Sequence, residues 1–115
     1  MALDLMKTAE TIHALKLFLN TRRPPENIRH EIDLGYKTEN QSIIIFEVRP
    51  HWEKKDEKTE SPIAKATWVK TQKCWKIFWM RADLKWHRYQ PVAEVKTIEE
   101  FLKVVDNDSH GCFWG

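Results

Sequence analysis

The chain has 115 residues, 42% hydrophobic and 31% charged, with six tryptophans and a formal net charge of +2. That length suits one domain (residues 1–115) with a modest core, and the apolar content argues against a disordered chain. No uninterrupted apolar run exceeds four residues, the length of Ile43–Phe46, which is far too short to span a bilayer, so no membrane association is expected.

Apolar residues recur at helical spacing from the start: Leu5, Ala9, Ile12 and Leu19, with Met6, Leu15 and Phe18 beside them. This predicts a helix over Leu3–Asn20. Its Asp4, Lys7, Glu10 and Lys16 suit an amphipathic helix and not a secretory signal. Pro24-Pro25 ends it, because proline excludes the α region for the residue before it. Pro25 can open a short helical turn over Pro25–Arg29. A hairpin follows, Glu31–Tyr36 and Ser42–Arg49, around the polar turn Lys37–Gln41. His51–Ser61 lies between Pro50 and Pro62, is charged, and has Trp52 as its one apolar residue. It reads as a mobile surface loop.

The stretch Ile63–Pro91 reads as three antiparallel strands. Its middle strand, Cys74–Arg81, alternates Trp75, Ile77, Trp79, Arg81 with Cys74, Lys76, Phe78, Met80. Both sets are mostly apolar, which predicts a central strand covered on both faces. The flanking strands are Ile63–Lys70 and Lys85–Gln90. The loop at Ala82-Asp83-Leu84 fits two or three residues about equally, and a one-residue slip moves Trp86 to the other face. Thr97-Ile98-Glu99-Glu100 is a capping box, and Ile98, Phe101, Leu102 and Val105 form one stripe of a helix over Ile98–Asp106. The tail Cys112-Phe113-Trp114 is expected to fold back, since burying a large apolar side chain contributes roughly 1.5–3 kcal/mol. The expected fold class is α+β: an antiparallel sheet of about five strands (a hairpin plus a three-stranded meander) flanked by an N-terminal and a C-terminal helix. One helix on each face would account for the doubly apolar middle strand.

Arg23 to Gly115 carries a resemblance. The run ESPIAKATWVKTQKCWKIFWMRADLKWHRY, the segment DLGYKTENQSIIIFEVRPHW and the ending VDNDSHGCFWG together resemble the small bacterial protein family catalogued as domain of unknown function 3024. The resemblance implies a bacterial, single-domain protein and brings no catalytic residues with it.

Charge is distributed unevenly. Between Ile63 and Pro91 there are seven Lys or Arg and one acid, Asp83, leaving twelve basic and sixteen acidic residues elsewhere. Single-stranded nucleic acid is bound by aromatic faces that stack bases and by cations that track phosphates. Trp68, Arg81, Lys85, Trp86, His87 and Arg88 have that make-up, with Lys65, Lys70 and Tyr89 beside them. The bland alternative makes the tryptophans core and the lysines a solvated edge that blocks aggregation.

A second pattern is Asp33 followed by Glu47-Val-Arg49, which echoes the D…ExK motif of nuclease folds that hold Mg²⁺. Arg49 stands where that motif has lysine, and a guanidinium cannot accept a proton from water. Pairing of Glu47 with Arg49 or another cation is the structural alternative. The five histidines (His13, His30, His51, His87 and His110) lack a two-His metal spacing, so no metal or cofactor is expected. His51 and His87 remain candidate groups for an acid–base or metal site if they meet near Glu47, Glu53 or Asp83. Cys74 with His87 would make a nucleophilic pair, but a thiol in a central strand is usually inert. Cys74 and Cys112 form no disulfide framework and read as reduced thiols in the cytoplasm. The expected function is a small non-enzymatic binding module, with nucleic acid or a protein as partner and self-association compatible. The alternative is a metal-dependent hydrolase around Asp33, Glu47 and Arg49.

Overall fold

In the computed structural model, which describes residues 5–51, 53–54 and 56–114, the helical spacing at the start becomes α1, Leu5–Arg22. Its buried stripe holds Thr11, Ala14, Leu15 and Leu19. The Thr11 hydroxyl donates to the Lys7 carbonyl at 2.7 Å, so this buried polar group is satisfied within the helix. The helix stops before Pro24-Pro25, and the expected short turn is a single 3₁₀ turn, Glu26–Ile28.

Six strands and one more helix follow: β1 (Asp33–Glu39), β2 (Ser42–Pro50), β3 (Lys58–Val69), β4 (Cys74–Met80), β5 (Trp86–Arg88), β6 (Glu94–Val95) and α2 (Ile98–Asn107). The strands form one antiparallel sheet in the order β1-β2-β3-β4-β5, with β6 also paired to β4. From β1 to β5 each strand pairs with the next, as short hairpin connections favour. The hairpin turn is tighter than expected. β1 continues to Glu39, and Asn40 at φ 55° turns the corner in a conformation asparagine tolerates. The charged segment after Pro50 is shorter as a loop, because β3 already begins at Lys58 opposite Pro50. Trp52 lies outside the described residues.

Two local devices set the register. Ile45 opposes Ala64 but Phe46 opposes Pro62, so Ile63 is an extra, bulged residue that joins Ala64 in the core. Between β4 and β5 the loop has three residues, Ala82–Leu84. Leu84 N–H donates to the Arg81 carbonyl at 2.9 Å, Arg81 N–H to the Lys85 carbonyl at 3.2 Å, and Leu84 takes φ 61°. That is the turn-plus-left-handed residue of three-residue hairpins, and it places Trp86 opposite Met80.

Strand alternation then sorts the sheet into two faces. Ile43, Ile45, Ala64, Ala66, Trp75 and Ile77 share one face and are at most 1% exposed. Against them pack Ala14 and Leu15 of α1 and Ile98, Phe101, Leu102 and Val105 of α2. Both helices therefore lie on the same face, joined by the Arg22–Asp106 salt bridge at 3.1 Å. One helix per face, expected from the middle strand, does not occur. The second apolar set of β4 faces away from both helices, and the stems of lysines and arginines cover it instead. The C-terminal elements follow the sequence reading closely. Thr97 Oγ1 accepts from Glu100 N–H at 3.1 Å, and the Glu100 carboxylate reaches back to the Thr97 hydroxyl. The tail folds against α2: Asp108 accepts from the backbone N–H of Phe113 and Trp114, and Trp114 Nε1–H donates to the Val105 carbonyl at 2.7 Å. Among the described residues no helix is long and apolar enough to cross a membrane.

Candidate functional site

The face that the helices leave uncovered carries a row of aromatic rings with cations over them. Phe78 of β4 is flanked by Lys65 of β3 and Arg88 of β5, its registered partners on either side. Lys65 Nζ lies 5.2 Å from the Phe78 ring centre and 5.4 Å from that of Trp86, so one ammonium bridges two rings. The Arg88 guanidinium carbon is 5.8 Å from the Phe78 centre. Phe78, Met80, Trp86 and Arg88 are all half-buried, so their surfaces remain reachable. Toward β1 the same face becomes closed. Phe46 packs over Gly35 so tightly that a Cβ there would meet its ring at 2.8 Å, and Lys37 Nζ lies 5.8 Å above the same ring.

The sequence produces this because charge falls on one phase of the alternation in three neighbouring strands. Lys65 and Thr67 of β3, Lys76 of β4 and Arg88 of β5 share the phase of Phe78 and Trp86, whereas the opposite phase carries Ala64, Ala66 and Ile77. A cation over a ring gains from the quadrupole of that ring, about 0.5–1 kcal/mol at an exposed site, without losing its charge to an acid. Lys65, Arg81, Lys85 and Arg88 make no salt bridge within 4 Å among the described residues. Arg88 Nε is buried and makes no hydrogen bond.

The expected binding residues divide between two faces. Trp86 and Arg88 lie on the open face. His87 points to the helix side beside Trp79, with Nε2 2.8 Å from Asp83 Oδ2, and that contact holds the Asp83 carboxyl below its ordinary pKa. Arg81 sits with its guanidinium carbon 5.5 Å from the Trp79 ring centre, and Lys85 is exposed in the turn with its N–H donating to Asp83. Together Trp79, Arg81, His87, Arg88, Tyr89 and Cys112 border a cleft of about 370 Å³ at the β5 margin. Trp68 belongs elsewhere. It lies on the helix side at the far end of β3, 5.3 Å from Trp75, under Lys7 Nζ at 4.1 Å. Sequence reasoning passed over Phe78 as a surface residue, since an apolar strand read as buried on both sides. The signal that finds it is the shared phase of Lys65, Lys76 and Arg88.

The candidate catalytic residues are not brought together. Asp33 opposes Val48 and Leu34 opposes Glu47, so the two acids point to opposite faces of the β1–β2 ladder. Each has its own arginine: Arg23 pairs with Asp33 through two bonds of 2.9 and 2.7 Å, and Arg49 pairs with Glu47 at 3.0 and 2.7 Å. The Arg23 bond holds the Asp33 carboxyl below the usual carboxylate range. His51 follows β2, and its Nδ1 accepts from the N–H groups of Glu53 and Lys54. His87 is three strands away, roughly 14 Å from strand spacing alone. Cys74 faces the open side while His87 faces the helices, and the Glu94 carboxylate together with burial pushes the Cys74 thiol up in pKa. Burial raises Cys112 as well, so neither thiol is primed as a nucleophile. Among the described residues no group of three His, Cys, Asp or Glu is arranged to hold a metal ion.

The family described as Domain of unknown function (DUF3024) matches residues 3–115. The chain belongs to that family. No curated protein and no solved structure matches it. Membership therefore supports the residue-level resemblance and leaves the function to be argued from the open face.

Proposed function

We propose that this protein is a binding module for single-stranded nucleic acid, with the open sheet face around Phe78 and Trp86 as its platform. The observation that carries the reading is the Lys65 ammonium shared between two accessible rings on the face turned away from both described helices. A sheet with helices behind it and aromatic side chains in front offers flat surfaces on which splayed bases stack. Stacking is worth about 1–3 kcal/mol per base and tolerates any sequence. Lys65, Lys76 and Arg88 then lie beside the rings, where phosphates between stacked bases would run. A bacterial, cytoplasmic setting fits two thiols that are both free.

Fluorescence anisotropy with short single-stranded DNA and RNA tests the proposal. Binding is expected to weaken with salt, with a log–log slope of about −2 if three phosphates are neutralised, from roughly −0.7 per phosphate for single strands. Absence of binding at low salt, or binding that Trp86→Ala leaves intact, overturns it.

A further inference from the structure

The first helix has a second stripe that the core does not use. Its buried side holds Thr11, Ala14, Leu15 and Leu19, while Met6, Glu10, His13 and Leu17 are exposed on the other side. Their alternating spacing of four and three residues is the seam along which one helix lies on another. Among the described residues the exposed large apolar side chains are Met6, Leu17 and Leu84. Leu84 belongs to the β4–β5 turn, but Met6 and Leu17, 73% and 55% exposed, both stand on this stripe. Leu17 also borders a groove of about 310 Å³ between α1 and α2, lined further by Ala14, Phe18 and Leu102. Apolar side chains grouped beside a groove, with polar residues around them, mark a protein-binding surface.

The polar residues of the stripe select the occupant. An antiparallel copy of α1 that sets Met6 against Leu17 also sets Glu10 against His13, because both pairs are centred between Thr11 and Ile12. Every contact then occurs twice across a two-fold axis, apolar on apolar and acid on imidazole. A parallel copy would instead set Glu10 on Glu10. His13 makes no hydrogen bond or ion pair among the described residues, and Glu10 has Lys7 at 3.9 Å. The same register brings Lys16 near Lys7 of the second copy, but Lys7 Nζ lies over the Trp68 ring at 4.1 Å and is drawn toward the sheet. Both helices lie behind the sheet, so two copies joined through α1 keep their open faces outward.

We propose that the chain forms a two-fold dimer through α1, with Met6 of each copy packed on Leu17 of the other and Glu10 accepting a hydrogen bond from His13. The dimer is independent of nucleic-acid binding and stands or falls without it. Sedimentation equilibrium of the whole chain is expected to show the 13.8 kDa monomer giving way to a species of twice that mass. One helix per copy makes an interface below about 1,200 Å², so the association is weak, with a dissociation constant on the order of micromolar or above. Leu17→Glu is expected to weaken it by roughly tenfold or more, and because Leu17 is exposed the thermal melt should change little. His13→Glu sets acid against acid twice in each dimer and should weaken association by about threefold; adding Glu10→Lys should restore it. A chain that stays monomeric up to about 0.5 mM overturns the proposal and leaves the stripe to a protein of different sequence. Dimers that Leu17→Glu leaves intact are joined elsewhere, and dimers that Glu10→Lys fails to restore are not in this register; either result overturns it too.

Discussion

The two margins of this sheet treat charge in opposite ways. At the β1–β2 margin three prominent cations have acid partners: Arg23 with Asp33, Arg49 with Glu47, and Lys37 with Glu60 at 3.7 Å. The aromatic ring there, Phe46, is 8% exposed and pressed onto Gly35. Toward the β4–β5 margin Lys65 of β3, Arg81, Lys85 and Arg88 have no acid within 4 Å among the described residues, and the rings near Lys65, Arg81 and Arg88 are half-buried. A paired charge over a closed ring is structure, because its field is already spent on a neighbour. A cation left over an accessible ring keeps both its field and the ring's face for a ligand. The difference separates residues that a composition count treats alike.

The largest expected effect that sharpens this contrast is on binding. Trp86→Ala should weaken single-strand affinity by roughly tenfold or more, the loss of one stacked base, while changing the urea midpoint little. Lys37→Ala, on the closed margin, should leave affinity within about twofold. If the two substitutions have equal effects, the margins are not functionally different. Next, Gly35→Ala should lower stability by about 1–3 kcal/mol in denaturant melts, because the new Cβ meets the Phe46 ring in a packed sheet. It should not change binding.

A smaller effect concerns Asp33. Its folded pKa is depressed, so the stability it contributes is present above the ordinary carboxylate pKa and is lost as pH falls through the folded value. Asp33→Asn should therefore cost about 1 kcal/mol near pH 7, and the gap to the parent protein should close on acidification below about pH 4. Thermal melts across pH check this, and a gap that stays constant to acid contradicts the Arg23 pairing as its source. The smallest effect is expected for Glu47→Gln, within about 0.5 kcal/mol because Arg49 is 56% exposed. A larger loss, or a melting temperature that Mg²⁺ raises only when Glu47 is intact, would revive a metal role for that residue.

How far each element was legible follows from the range of the forces behind it. α1, α2, the capping box at Thr97 and the folded-back tail were readable because helical spacing and caps involve neighbours within a few residues. The hairpin and the meander were readable from alternation, and the Glu47–Arg49 pair from their spacing along one strand. The register at Ala82–Leu84 was not, since two- and three-residue loops have similar local signals and Leu84 is an unusual residue to hold φ 61°. The bulge at Ile63 was equally silent. The candidate site was half visible: Trp86 and Arg88 stood out by type, but Trp68 looked like their companion and Phe78 looked like core.

The sequence by itself determined the α+β class, the strand count to within one, the cation-rich meander and the family to which the chain belongs. Only the tertiary structure decided that both helices share one face, which leaves Phe78 and Trp86 reachable and parts Asp33 from Glu47. The reason is that alternation tells which residues share a side of a strand but not what stands opposite that side. A helix and a layer of lysine stems both shelter an apolar ring, and the choice between them is made by packing between segments far apart in the chain.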